Sequence, residues 1–212
     1  MQRCELTIQP IICAADDGSG PAAARIAPDC LAAYRQWGLD SVWLPPKEWR
    51  CTAARDGLRN LDDLMEQARE LGLYSSDSTV AHVFFINAVD GQSGPLGRGM
   101  LGGNIAFVAQ DGEREGDGPS EARDAFIIAH ELGHCLGLGH VVDELGEFNN
   151  DAVPNLMGEG SFADRIGSGG LVRYQVNVIR SSPMVAVPAR MYCSHCNSKV
   201  SKFQARRLPD IR

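Results

Sequence analysis

The chain has 212 residues, 44% of them hydrophobic, which is enough for one sizeable core or a two-lobed single domain. Its formal net charge of −7 argues against a nucleic-acid partner, because phosphate binding calls for basic patches. No apolar run reaches the roughly 18 residues of a membrane span, and the first residues, broken by Arg3, Glu5 and Gln9, lack the apolar heart of a secretory leader. This leaves two expectations for location: the cytoplasm, or export without a cleavable leader.

Leu6 to Cys13 predicts a first strand, with Pro10 marking an edge or a bulge. Asp16 to Pro21 has the chemistry of a turn. Asp29 to Trp37 has helical spacing and stops at Gly38. Leu39 to Leu44 predicts a second strand closed by Pro45 and Pro46, with Trp43 and Trp49 as packing residues. Leu61 to Leu71 carries an apolar stripe at Leu61, Leu64, Met65, Ala68 and Leu71, followed by Gly72, and predicts an amphipathic helix. Thr79 to Val89 is almost continuously apolar, as in a strand buried on both faces. His82 lies inside it with no motif around it and reads as a core or edge histidine. A glycine-rich stretch, Gly91 to Gly103, leads to another strand at Ile105 to Ala109. Asp111 to Pro119 is a loop, and Ser120 is placed to cap a helix whose first turn carries Glu121.

That helix runs into His130-Glu131-Leu132-Gly133-His134-Cys135-Leu136-Gly137-Leu138-Gly139-His140, the pattern HExxHxxGxxH. Five histidines occur in the whole chain, and three of them are here. A helix turns about 100° per residue, so His130 and His134 share one face, the spacing that two imidazoles need to hold one zinc ion. His140 reaches the same ion only if the helix stops before it. Gly137 permits the stop, since glycine enters left-handed backbone conformations without steric cost. Three nitrogen ligands leave one position of a tetrahedral zinc for water, the layout of a catalytic site. Glu131, beside His130, is placed to take a proton from that water and pass it to a leaving amine. Cys135 has no role in such a ligand set and reads as a small buried residue.

The motif resembles the zinc-binding signature of the metzincin metallopeptidases. That resemblance implies His130, His134 and His140 as zinc ligands and Glu131 as the general base. It also implies a methionine turn beneath the metal, which Asn155-Leu156-Met157-Gly158 matches, with Met157 as its methionine. The residue after the third histidine, Val141, assigns no subfamily. Glu159 stands where some metzincins have a tyrosine ligand, so none is expected from this turn. The family's rim strand, which pairs with extended substrate, falls within Leu96 to Phe107, and the pocket wall after the methionine turn falls within Gly160 to Gly170.

The acidic stretch Val141 to Asp151 offers oxygen ligands for calcium, but it has no recognisable calcium-loop spacing and reads as a solvated loop. Leu171 to Arg180 predicts a closing helix with Leu171, Tyr174, Val178 and Gln175 on one stripe. Seven cysteines, an odd number, favour reduced thiols. Cys193 and Cys196 form half of a zinc site in a basic tail, with a disulfide, a shared metal half-site and free thiols all open.

The expected fold is α/β (α+β): a metzincin-like two-lobed domain over residues 1–186, with a mixed twisted sheet and active-site helix to about His140. A small lower lobe with a closing helix follows over 141–186, and the cysteine-containing tail over 187–212. The expected function is zinc-dependent endopeptidase activity on a protein or peptide substrate, using one Zn2+ ion. Two alternatives differ in class: a non-catalytic zinc-containing module that binds a partner protein, and a zinc amidase on a non-peptide substrate.

Overall fold

A computed structural model describes residues 4–22, 38–57, 60–75, 79–89, 97–109, 121–140, 155–158, 171 and 173–186. The predicted helix at Asp29 to Trp37, the Ser120 cap, the calcium reading of Val141 to Asp151, the Gly160 to Gly170 wall and the tail with Cys193 and Cys196 lie outside these residues.

The sheet is built on one long strand, β1 (Cys4–Ala14). On one side it pairs in parallel first with β2 (Leu39–Trp43) and then with β3 (Lys47–Arg50). On the other it pairs antiparallel with β7 (Val185–Ala186) at Glu5 and Leu6, then in parallel with β4 (Ala81–Ile86) from Ile8 to Ile12. Beyond β4 lie β6 (Ile105–Ala109), parallel, and β5 (Gly97–Gly99), antiparallel, so the main order is β2-β1-β4-β6-β5. Among the described residues the helices are α1 (Thr52–Asp56), α2 (Leu61–Glu70), α3 (Glu121–Cys135) and α4 (Arg173–Ser181). The mixed α/β class expected from the sequence is the one observed.

Pro10 is not at an edge. Its strand is interior, and the physical reason is a gap in the ladder. The Ile8 carbonyl accepts from Leu44 N–H at 2.9 Å, so the even-numbered backbone groups of β1 face β2 and β3. The nitrogen of Pro10 faces the same way, between the end of β2 pairing at Ile8 and the start of β3 pairing at Ile11. No ladder donor is needed there. Gln9 bridges the gap, donating from Nε2 to the carbonyls of Pro45 at 2.7 Å and Pro10 at 3.0 Å. Pro45 and Pro46 therefore interrupt the neighbouring chain without ending its part in the sheet, and β3 continues past them.

Alternation along the strands sends side chains to two cores. Leu6, Ile8, Val83, Phe85, Ala106 and Val108 face the side of α3 and α4. Ile11, Cys13, Phe84, Ile86 and Phe107 face the side of α1 and α2, with Trp49. Phe84 is fully buried there, its ring centroid 5.8 Å from that of Trp49 and 5.1 Å from that of Phe107. A side chain of this size so buried contributes roughly 1.5–3 kcal/mol. β4 is buried at every residue, as its unbroken apolar run predicts.

Helix α2 buries Leu64, Met65 and Ala68, but Leu71 falls past its end and is 62% exposed, outside the expected stripe. The short helix α1 has no side-chain cap from its own N-cap residue, Cys51. Its first N–H is met instead from just past the end of β1, where Asp16 Oδ1 accepts from Thr52 N–H at 3.0 Å, and Thr52 Oγ1 in turn accepts from Asp16 N–H at 3.1 Å. In α4 the buried residues are Gln175, Val176 and Ile179. Tyr174, expected to pack, is 74% exposed. None of the helices formed by the described residues is long and apolar enough to cross a membrane.

Candidate metal centre

The site is carried by the last turns of α3 and the loop after it. Ile127, Ile128, Ala129, Leu132, Cys135 and Leu136 are all buried, so the second half of the helix is anchored over the sheet. Cys135 supplies one tie directly, its thiol donating to the Ile105 carbonyl at 3.1 Å. Burial pushes that thiol up to about 12, which keeps it protonated and inert.

The helix ends where the sequence predicts. Gly137 has φ +96°, a conformation that side-chain-bearing residues avoid. Gly137 N–H donates to His134 O and Leu138 N–H to Gly133 O, both at 2.9 Å. This is the double hydrogen-bond pattern of a Schellman cap, and Leu138 packs in the same core cluster as Leu132. The reversal returns His140 toward the helix face it has just left.

The three imidazoles converge. His140 Nε2 lies 3.2 Å from His130 Nε2 and 3.1 Å from His134 Nε2. All three ligand atoms lie within 4.8 Å of one another. His130 Nδ1 is 2.8 Å from Leu156 O, and His134 Nδ1 is 2.8 Å from Leu138 O. A carbonyl can only accept, so each Nδ1 carries the proton and each Nε2 presents a lone pair. Zn–N bonds of about 2.0–2.1 Å in a tetrahedron put neighbouring nitrogens about 3.3–3.4 Å apart, close to what these rings show. The donor set fits one Zn2+ ion, and the two carbonyls are the kind of partner that orients a ligating histidine.

Glu131 is buried beside the first ligand. Burial raises its carboxyl to about 7, opposed by the Gly99 backbone, which favours the charged form. A cation on the adjacent histidines acts in the same direction as that backbone. Above the helix runs β5, last in the strand order. Its two glycines face α3 closely: a Cβ on Gly97 would meet the Glu131 side chain, and one on Gly99 would meet the helix backbone at Glu131 and the His134 Cβ.

Met157 is fully buried in a short turn formed by residues 155–158, the turn whose Leu156 carbonyl faces His130. The pairing of two residues in its support was not anticipated. Asn155 and Gln175 are both buried, and their side-chain amides pair with each other. The sequence places Asn155 in the methionine-turn match and Gln175 on the stripe of the closing helix, but neither is charged and they come from separate segments, so no spacing marks them as a pair. The face-sharing glycines of β5 had a signal, the alternation Gly97-Arg98-Gly99 just ahead of a strand, but the surrounding glycines masked it. His82 is brought nowhere near a ligand role: it is buried on the α2 side of the sheet, its ring centroid 6.0 Å from that of Tyr74.

No family model matches the chain, and no curated protein does. Among solved structures, the chain is similar to archaemetzincin from Methanopyrus kandleri, with 17% identity over 84% of this chain and 95% of that one and a TM-score of 0.51. It is also similar to metalloproteinase-II from Bacteroides fragilis, with 14% identity, coverage of 83% and 52%, and a TM-score of 0.53. The likeness is one of fold. This chain spans about half the length of the Bacteroides protein.

Proposed function

We propose that this protein is a zinc-dependent peptidase with Glu131 as its general base. The observation that carries the reading is the convergence of the His130, His134 and His140 Nε2 atoms next to a buried carboxyl. The neighbours in fold are named archaemetzincin and metalloproteinase, which agrees with it.

His130, His134 and His140 would hold the ion, which supplies a Lewis acid that polarises a carbonyl and acidifies water. The Leu156 and Leu138 carbonyls keep two of the ligands in the tautomer that binds. Glu131 accepts a proton from the attacking water at its carboxylate and returns it to the leaving amine. β5 is the last strand in the order among the described residues, and a sheet edge accepts an extended chain as an added strand, which supports an endopeptidase.

Digestion of casein and of a peptide library, with metal content measured alongside, tests the proposal. The parent should bind one zinc per chain and lose activity to a chelator. Glu131→Ala should keep the zinc and lose about 10²–10⁴-fold in rate. Equal cleavage by parent and variant would sink the enzyme reading.

A further inference from the structure

Gln175 lies on α4, remote in sequence from the histidines, yet an unbroken line of hydrogen bonds joins it to one of them. Its Oε1 accepts from Asn155 Nδ2 at 2.9 Å, and its Nε2 donates to Asn155 Oδ1 at 3.0 Å. The same Asn155 Oδ1 accepts from Met157 N–H at 3.0 Å, closing a turn around Leu156. The Leu156 carbonyl sits inside that turn and faces His130 Nδ1 at 2.8 Å. Asn155, Leu156, Met157, Gln175 and His130 are all buried.

We infer that Gln175 is a positioning residue for the metal centre: through Asn155 it sets the direction of the Leu156 carbonyl, and so the tautomer and aim of His130. The inference rests on the reading of the triad as a zinc site. A paired amide is suited to the task. In a buried place each amide needs a donor and an acceptor, and two amides facing each other satisfy both at once. A joint flip of both amides would keep the pair, but the Met157 N–H needs an acceptor and selects the arrangement with Asn155 Oδ1 toward it, and Gln175 then holds Asn155 there. An apolar residue at 175 would remove the constraint. The Asn155 side chain would then turn to seek other partners, and the carbonyl it frames would turn with it. Partners of ligating histidines typically change metal affinity by about 10–100-fold when removed.

The experiment uses the full chain. Zinc affinity is measured by competition with a chromophoric chelator, and the imidazole nitrogen spectrum of the metal-free protein reads the His130 Nδ1 proton. Gln175→Met should bind zinc about 10–100-fold more weakly and lose the fixed Nδ1 proton. Gln175→Glu, which keeps the shape and the acceptor toward Asn155 Nδ2, should fall between it and the parent. Tyr174→Ala, on the exposed side of the same helix, should match the parent. If Gln175→Met does not fold, Gln175→Glu decides by the same two readouts. A Gln175 variant with a lowered Tm but parental zinc affinity and an unchanged His130 proton would overturn the inference alone. A parent chain that binds no zinc would overturn the metal reading beneath it.

Discussion

Gly97 lies so close to Glu131 that a Cβ on it would stand 2.5 Å from Oε1 and 2.6 Å from Cγ. Real side chains do not sustain such contacts, so Gly97→Ala must push the carboxyl aside. The three nearest atoms it would meet all belong to the Glu131 side chain, so the prediction is specific: turnover falls, KM changes little and zinc content is unaltered. A misplacement of about 1 Å can cost about 10²-fold in rate, so a loss between about 10- and 100-fold is expected from steady-state kinetics. Gly99→Ala differs, because it meets helix backbone and the His134 Cβ at 2.8 Å, which cannot swing away. That variant should lose about 1–3 kcal/mol of stability in denaturant titration, as overpacked sites do.

Gly137 should tolerate little. A Cβ there would meet only Val178 Cγ1, at an ordinary 3.4 Å, so the obstacle is its φ of +96° rather than space. Forcing alanine into that backbone costs roughly 1–2 kcal/mol. Gly137→Ala should lower Tm by about 2–8 °C for a chain of this size. It should also weaken zinc binding, since His140 is aimed by the reversal. Gly137→Asn should recover part of both, because asparagine accepts left-handed backbone better than alanine does.

His82 makes stability depend on pH. Burial lowers it from 6.5 to about 4, with the nearby Lys47 adding in the same direction and the Asn104 and Val80 backbones opposing. Tyr74 is the other titratable group against it. The unfolded chain thus takes up a proton here near pH 6.5 while the folded one waits until about pH 4. Stability should fall as pH drops through that window, by about 2–3 kcal/mol in all. Urea unfolding of metal-free protein between pH 7.5 and about 4 should show a steeper decline for the parent than for His82→Gln. His130 is lowered to about 4 as well, so the difference between the two proteins, not the parent slope, isolates His82.

The metal triad was legible because its chemistry demands short, fixed spacing within one helix and its cap. Buried strands were legible where apolar runs were unbroken, as in β4 and β6. What escaped depended on partners distant in the chain. Pro10 reads as an edge or bulge residue until the gap between β2 and β3 is known. The α1 helix takes its cap from Asp16 rather than from its own flank. Asn155 and Gln175 become a pair only through the fold. The spacing of α4 puts Tyr174 and Gln175 on one stripe, but only Gln175, a polar residue paired with Asn155, takes the buried place on that turn.

β1 and β7 are the first and last of the described strands, and they pair through Glu5–Ala186 and Leu6–Val185. On the ribosome this sets an order of assembly. His130, His134 and His140 emerge before the Leu156 carbonyl that aims the first of them, and before the helix and strand that fasten that turn to the sheet. A nascent chain thus carries the metal-binding nitrogens for some time without the frame that directs them. Tight capture of the ion belongs to the end of folding, after the last strand has returned to the first.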